Sequence, residues 1–286
     1  MTTDQLSGKI ESLISGFEDA FGKQVNSTQK ALFEQMQVLL NKLELSADGL
    51  ILQNQGNRKI LAQFDEYFNK AFNQSGYYAT LDKSAGTVSG ITTANGQYFA
   101  DIVDGFTVDA QYIKNLQRET ISQFESLLAN EGLEAMMKKP LIDILNQNIN
   151  TGASYSDLLK QVREFAIGND ELAGQLQRYS GQLTTDTLFN FNRAMQEAVS
   201  QNSGLDWYLY SGSNDADSRE FCKQRAGKYF HRTEIEKWAN LDWAGKRRGT
   251  TKSSIYVYLG GYRCRHKLIA VSEAVVPKTA LNRIKK

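Results

Sequence analysis

The chain is poor in the side chains that most often do chemistry or staple folds. Its 286 residues hold two cysteines, two histidines and two prolines. Two cysteines do not make the disulfide framework of a small secreted domain. With Pro140 and Pro277 as the only prolines, little interrupts long helices. No apolar run approaches a membrane span, and the Met-Thr-Thr-Asp-Gln start lacks the basic and then apolar pattern of a signal peptide. These absences predict a protein made and folded in a cytoplasm, with no membrane span. No glycine-rich phosphate loop follows a strand, and His231-Arg232-Thr233-Glu234 lacks the H-x-E…P-C-x-x-C arrangement of zinc deaminases.

What is present is concentrated at one end. Cys222, His231, Cys264 and His266 all fall between Asp217 and Lys267, and the first 200 residues carry none of these groups. Charge is divided in the same way. From Arg219 to Lys286 there are 17 Lys and Arg against 5 Asp and Glu, whereas the preceding residues hold 16 against 27. The formal net charge of +1 therefore hides a dipolar chain. Two readings fit: the basic end meets an acidic partner such as nucleic acid, or it complements the acidic helices of its own chain or of a second copy.

Apolar residues from Leu6 to Leu43 step by three or four, which predicts an amphipathic helix over Asp4 to Leu43. Ser46 to Gly49 breaks it. Further helices are expected at Arg58 to Asn73, Ala110 to Ala129, Leu133 to Asn148, Tyr155 to Ala166, Asp170 to Arg178 and Leu183 to Gln201. The small-residue stretch from Lys83 to Gly96 reads as loop or short broken helices. Ser154 and Thr107-Val108-Asp109 offer helix caps. After Gly204, Leu205 to Tyr210, Ile255 to Leu259 and Leu268 to Val271 read as strands. Ser218 to Arg225 and Thr233 to Ala239 read as short helices, the second with a Thr233/Glu236 capping box. The expected fold is mainly α. An elongated helical assembly or docking region, residues 1–203, precedes a small basic α+β domain, residues 204–286.

The strand, then D-S-R-E-F-C from Asp217, then G-G-Y-R-C-R-H from Gly260, resembles the C-terminal domain of the Mu F-like minor head proteins of tailed bacteriophages. The matching positions are Asp217, Arg219, Cys222, Gly227, Phe230, Trp243, Gly260, Gly261, Cys264, Arg265 and His266. The resemblance covers roughly Leu183 to Val271. It implies a virion component of the head or portal vertex, made in the host bacterial cytoplasm. It also implies partners among the portal and major capsid proteins, several copies per particle, and contact with packaged double-stranded DNA.

The residues themselves leave alternatives open. Cys222, His231, Cys264 and His266 suit tetrahedral zinc. They suit packed thiols with hydrogen-bonded histidines as well, and less readily a Cys222–Cys264 disulfide or a nucleophile and base. Asp217 is expected to cap the helix at Ser218. Arg219 is expected to pair with a carboxylate, and Arg265 is a candidate partner for Asp217. Lys246, Arg247, Arg248 and Lys252 lie near Trp238, Trp243, Tyr256 and Tyr258. They are candidate DNA contacts, or else the rim around an aromatic core. The expected function is a noncatalytic phage structural protein. The alternatives are a host-directed effector or enzyme using Cys222 or Cys264, and a nonspecific DNA-binding module.

Overall fold

The computed structural model describes residues 1–107 and 109–284. Val108, in the expected Thr107-Val108-Asp109 cap, and Lys285 and Lys286, in the basic segment, lie outside the described residues. In chain order the helices are α1 (Thr3–Leu40), α2 (Gln55–Leu61), α3 (Phe64–Gln74), α4 (Tyr77–Leu81), α5 (Ser84–Ile102) and α6 (Ala110–Leu128). A turn, α7 (Glu131–Leu133), runs through a π-helical stretch, Glu134–Lys138, into α8 (Lys139–Thr151). Next come α9 (Tyr155–Ala166), α10 (Gln175–Asn202), β1 (Trp207–Ser211), α11 (Glu220–Lys223), β2 (Tyr229–His231) and α12 (Arg232–Trp238). The chain ends with α13 (Ile255–Tyr258), β3 (Lys267–Val271), a 3-10 turn at Glu273–Val275, and α14 (Lys278–Ile284). The fold is mainly α with a small antiparallel sheet, as expected.

Several local expectations are corrected. Lys83 to Gly96 is no loop, because α5 runs through it. Its small residues hide a stripe of Val88, Ile91, Asn95, Tyr98 and Phe99, all buried. Gly90 sits where a Cβ would stand 3.1 Å from Leu13 Cδ2, so the glycine is space left for α1. Ile255 to Tyr258 is one helical turn rather than a strand. Thr251 and Ser254 close the turn that leads into it, each backbone N–H donating to the other's hydroxyl (2.8 and 3.2 Å). Residues 170–174 are not helical, since Asn169 Oδ1 accepts the Glu171 and Leu172 N–H groups in a turn (3.1 and 2.9 Å). The capping box of α12 is two residues earlier than expected. His231 is the N-cap, and its own N–H donates to the Glu234 carboxylate (2.9 Å). The Ser154 cap of α9 is as expected, with Ser154 Oγ accepting the Asp157 N–H (3.1 Å).

The compact units do not divide at Gly204. One comprises Met1–Phe17, Ala85–Gln123 and Thr184–Lys286, and the other Glu18–Ser84 and Phe124–Leu183. The reason is that the sheet in the last third of the chain recruits side chains from much earlier helices.

The second unit is helical. Phe64, Phe68 and Phe72 lie one turn apart on α3 and are buried, with Phe68 stacked on Phe72 (centroids 4.7 Å apart). Tyr77 packs edge-on to Phe72 (5.0 Å) and donates its hydroxyl to the Leu128 carbonyl (2.8 Å), satisfying a buried phenol.

In the first unit the strand order is β2-β1-β3, all antiparallel, with Trp207 opposite His231 on one side and Val271 on the other. Both faces are covered. Trp207, Leu209 and Val271 pack with Val276 and Ala280, so β1 and β3 read as nearly continuous apolar runs. The outer edge of β3 is closed by side chains. Gln196 Oε1 accepts the Ala270 N–H (3.0 Å), and Tyr98 donates to the Ala270 carbonyl (2.7 Å). Asn95 continues the network to Asn192 (3.0 Å) and accepts from Gln196. An amide and a phenol thus take the outward N–H and carbonyl at the middle of the β3 edge, where another strand would otherwise pair.

Gln196→Leu leaves the Ala270 N–H and the Asn95 Oδ1 buried without these partners. It should cost about 2–4 kcal/mol, read as a lower melting temperature of the whole chain. Tyr98→Phe, which removes one hydroxyl, should cost about 1 kcal/mol. Equal melting of all three proteins would refute the edge-closing role.

Candidate metal centre

Two stretches meet to form the site, both in the first unit. One is α11, anchored by Phe221, which stacks on Trp243 (4.1 Å) and meets Trp238 edge-on (5.6 Å). That anchoring turns the neighbouring Cys222 into the interior. The other stretch runs from Leu259 to His266. It reverses direction through left-handed backbone at Leu259 (φ 40°), Gly261 (φ 99°) and Arg263 (φ 56°). Such values cost a non-glycine residue about 1–2 kcal/mol, so the loop needs outside support.

Arg193 of α10 supplies it. The residue is 2 % exposed. Its guanidinium donates to the carbonyls of Cys264, His266 (2.9 Å) and Val257 (2.7 Å), and to Asn190 Oδ1 (3.2 Å). Asp186, two turns earlier on the same helix, accepts the Arg263 N–H (2.7 Å) and pairs with Arg247 (3.0 Å). One helix thus grips both sides of the loop.

The grip sets the donors. Cys222 Sγ, Cys264 Sγ and a ring nitrogen of His266 lie within 4.8 Å of one another, and all three residues are buried. This cluster can hold a metal ion. A Cβ on Gly260 would lie 2.6 and 2.7 Å from the two sulfurs, so only glycine lets the backbone pass against both. Tyr210 donates its hydroxyl to Cys222 Sγ (3.2 Å). Burial, followed by the adjacent sulfurs, holds that phenol well above its ordinary range, so it stays a donor. The hydrogen bond from Cys222, followed by the positive charge of Arg193, holds the Cys264 thiol well below its ordinary range against the effect of burial. The same hydrogen bond and burial push Cys222 up. Both cysteines are free thiols. His266 Nε2 lies 3.3 Å from Asn214 Oδ1, and Nδ1 lies 3.9 Å from Cys264 Sγ. With Nε2–H donated to Asn214, Nδ1 keeps its lone pair for a ligand.

Cys222, Cys264 and His266 form the floor of a cleft of about 730 Å³. Its walls come from the start of α1 (Asp4, Ser7, Gly8, Glu11) and from residues 211–219. Asp217 lines it and does not cap α11, whose N-cap is Arg219 with no side-chain cap bond. Arg219 donates to the Tyr262 carbonyl (2.7 Å) instead of meeting a carboxylate, and packs on Gly245, where a Cβ would be 2.4 Å from its Nε. Arg265 pairs with Glu11 (3.2 Å). Gly261 passes so close to Gly245 that a Cβ would be 1.8 Å from its carbonyl oxygen.

His231 is outside the cluster. Its Nδ1 accepts the Thr233 N–H (3.3 Å) at the start of α12, and its ring lies edge-on to Trp207 (5.2 Å). The four-ligand set is therefore corrected to three. Gly227 lies beside β1, its N–H donating to the Tyr210 carbonyl (2.9 Å), and is not at the site. Of the basic loop, Lys246 donates to the Ala239 carbonyl (2.8 Å), and Arg247 sits between the rings of Tyr258 and Tyr262 (5.1 and 4.9 Å). Arg248 and Lys252 are exposed. Trp238 and Tyr256 are buried and belong to the core, while Trp243 and Tyr258 are half-buried.

Arg193, Asp186, Tyr210, Asn214 and Glu11 carry the site and were not singled out from sequence. One signal was available: Asp186, Arg193, Gln196 and Ser200 recur at helical spacing in a helix that also carries Leu188, Phe189 and Phe191. Polar residues at that period, among phenylalanines, mark a buried polar face.

No family model, curated protein or solved structure matches this chain.

Arg193→Met leaves three buried carbonyls without donors. It should destabilise the protein by about 3–5 kcal/mol and release the loop. Denaturant unfolding measures the first effect. The second appears as faster labelling of Cys222 and Cys264 by a thiol reagent under native conditions. Unchanged labelling would show that Arg193 does not hold the loop.

Proposed function

We propose that the chain is a noncatalytic minor head protein of a tailed bacteriophage, of the Mu F-like kind. It would act in head assembly and DNA packaging or delivery, at the portal vertex or head interior. Cys222, Cys264 and His266 would hold a zinc ion that ties α11 to the Leu259–His266 loop. One observation carries the reading. The family-like residues around Asp217–Cys222 and Gly260–His266, some forty positions apart, converge on a single cleft. A motif that closes on itself in this way is a unit of structure rather than a chance string. The donor set supports zinc: two buried sulfurs, and an imidazole oriented through its second nitrogen by Asn214. The partners would be the portal and major capsid proteins, with several copies in a particle. Arg248 and Lys252 are the loop cations exposed for contact with packaged double-stranded DNA.

The protein, purified from cells under reducing conditions, should carry about one zinc per chain, the stoichiometry of a single tetrahedral site. Cys222→Ser and His266→Ala should lower that content sharply, and His231→Ala should leave it unchanged. Elemental analysis reads all three. Dependence on His231 would overturn the three-donor assignment.

Co-expression with the portal and major capsid proteins of the same phage should give a complex stable through size exclusion. Absence of the chain from such complexes, from procapsids and from purified virions would remove the head-protein reading.

A further inference from the structure

We propose that a metal ion held by Cys222, Cys264 and His266 keeps one coordination position open to the cleft, and that this position takes an exchangeable anionic oxygen donor, a carboxylate or a phosphate. The inference rests on the metal reading above and goes beyond a purely structural staple.

The argument starts from ligand count. A closed structural zinc site has four protein donors, whereas a site with three keeps its fourth position for water or a ligand. Among the described residues, no fourth His, Cys, Asp or Glu belongs to the cluster. The one candidate the sequence offered, His231, is spent capping α12.

Position comes next. The side of the sulfurs facing Gly260 is closed by backbone at near contact, and Tyr210 occupies another approach to Cys222. All three donor residues nevertheless line the same cleft. Its lining is polar, with serines, arginines and carboxylates and no large apolar side chain. A donor entering from solvent therefore reaches the cluster from the cleft.

Charge selects the class of donor. Arg219, Arg263, Arg265 and Lys267 line the cleft together with Asp4, Glu11, Asp215 and Asp217. Arg265 and Lys267 are paired with Glu11, Asp215 accepts from Ser218, and Arg219 gives one N–H to the Tyr262 carbonyl, so the selecting charge is the guanidinium of Arg263 with the remaining N–H groups of Arg219. Guanidinium groups beside a cation favour a carboxylate or a phosphate over a neutral donor.

The test loads the full-length protein with Co²⁺ in place of zinc, under reducing conditions, and reads its absorption spectrum. Sulfur-to-cobalt charge transfer reports thiolate ligation, and the d–d bands report the rest of the coordination shell. We expect charge transfer in the wild type and its loss in Cys222→Ser/Cys264→Ser. We also expect saturable changes of the d–d bands with cyanide, with acetate and with inorganic phosphate. No charge transfer in the wild type would sink the metal reading itself. Charge transfer with d–d bands indifferent to cyanide would leave the metal in place and overturn the open position. If the bands respond only in Asp217→Asn, the cleft carboxylate is the fourth ligand and the proposal is equally overturned. A response to cyanide alone would overturn the anionic-oxygen class.

Discussion

The candidate metal centre of this molecule leans on one buried guanidinium. Arg193 places a permanent charge where water cannot reach it, which is costly unless its donors find acceptors. The carbonyls of Val257, Cys264 and His266, with Asn190 Oδ1, accept four of its five N–H groups. The three carbonyls flank the stretch that reverses through left-handed backbone at Leu259, Gly261 and Arg263. A planar fork with five N–H groups can reach several acceptors in fixed directions, and a lysine ammonium cannot. The exchange works both ways. The loop solvates the charge, and the charge holds the loop in a conformation that its non-glycine residues disfavour. The metal-competent geometry of Cys264 and His266 follows, because the carbonyls that Arg193 grips belong to those same two residues.

The second consequence is that the candidate site is not contained in the segment that carries its motif. Ser7 and Glu11, at the start of α1, reach Ser211, Arg265 and Lys267. Lys267 is buried, and its amine is pushed down by desolvation while Glu11 opposes that shift. A piece of chain beginning at Gly204 would lose this partner as well as Arg193, and with them a wall and the support of the cleft. The contact division agrees, gathering residues 1–17 and 85–123 with the C-terminal third.

How much of this was legible follows from how far each interaction reaches along the chain. Long amphipathic helices such as α1 and α9 announce themselves by period, and α9 falls where the spacing places it. Helix α5 does not, because Gly86, Gly90 and Gly96 lower its intrinsic propensity while tertiary packing, such as Leu13 against Gly90, overrides it. Ile-Tyr-Val-Tyr reads like a strand, yet it follows a turn closed by Thr251 and Ser254 that hydropathy does not register. Within the site, Cys222, Cys264 and His266 were visible as residue types, and their convergence is long-range. His231 looked equivalent on composition alone. Position separated it: its ring nitrogen was already claimed by a helix start two residues away. Arg193 was hidden for the opposite reason, since an arginine in a helix reads as a solvated face until its neighbours are known to be buried.

The charge asymmetry shows the same point on a larger scale. A segment with 17 basic and 5 acidic residues invites a nucleic-acid reading. Much of that charge is spent inside the molecule. Arg232 pairs with Glu197 (2.6 Å), Arg247 with Asp186 (3.0 Å) and Lys267 with Glu11 (3.0 Å), each acidic partner coming from the earlier, acidic part of the chain. Arg225 lies over the Phe221 ring (3.8 Å), and Arg219 and Lys246 are held by backbone carbonyls. The dipolar sequence is to this extent the signature of a fold that pairs its two ends. Positive charge available to an outside partner is the remainder, represented in the basic loop by Arg248 and Lys252. Any contact with DNA that these residues make is correspondingly small in phosphate count and carries the shallow salt dependence of a few released counterions, not that of the whole segment.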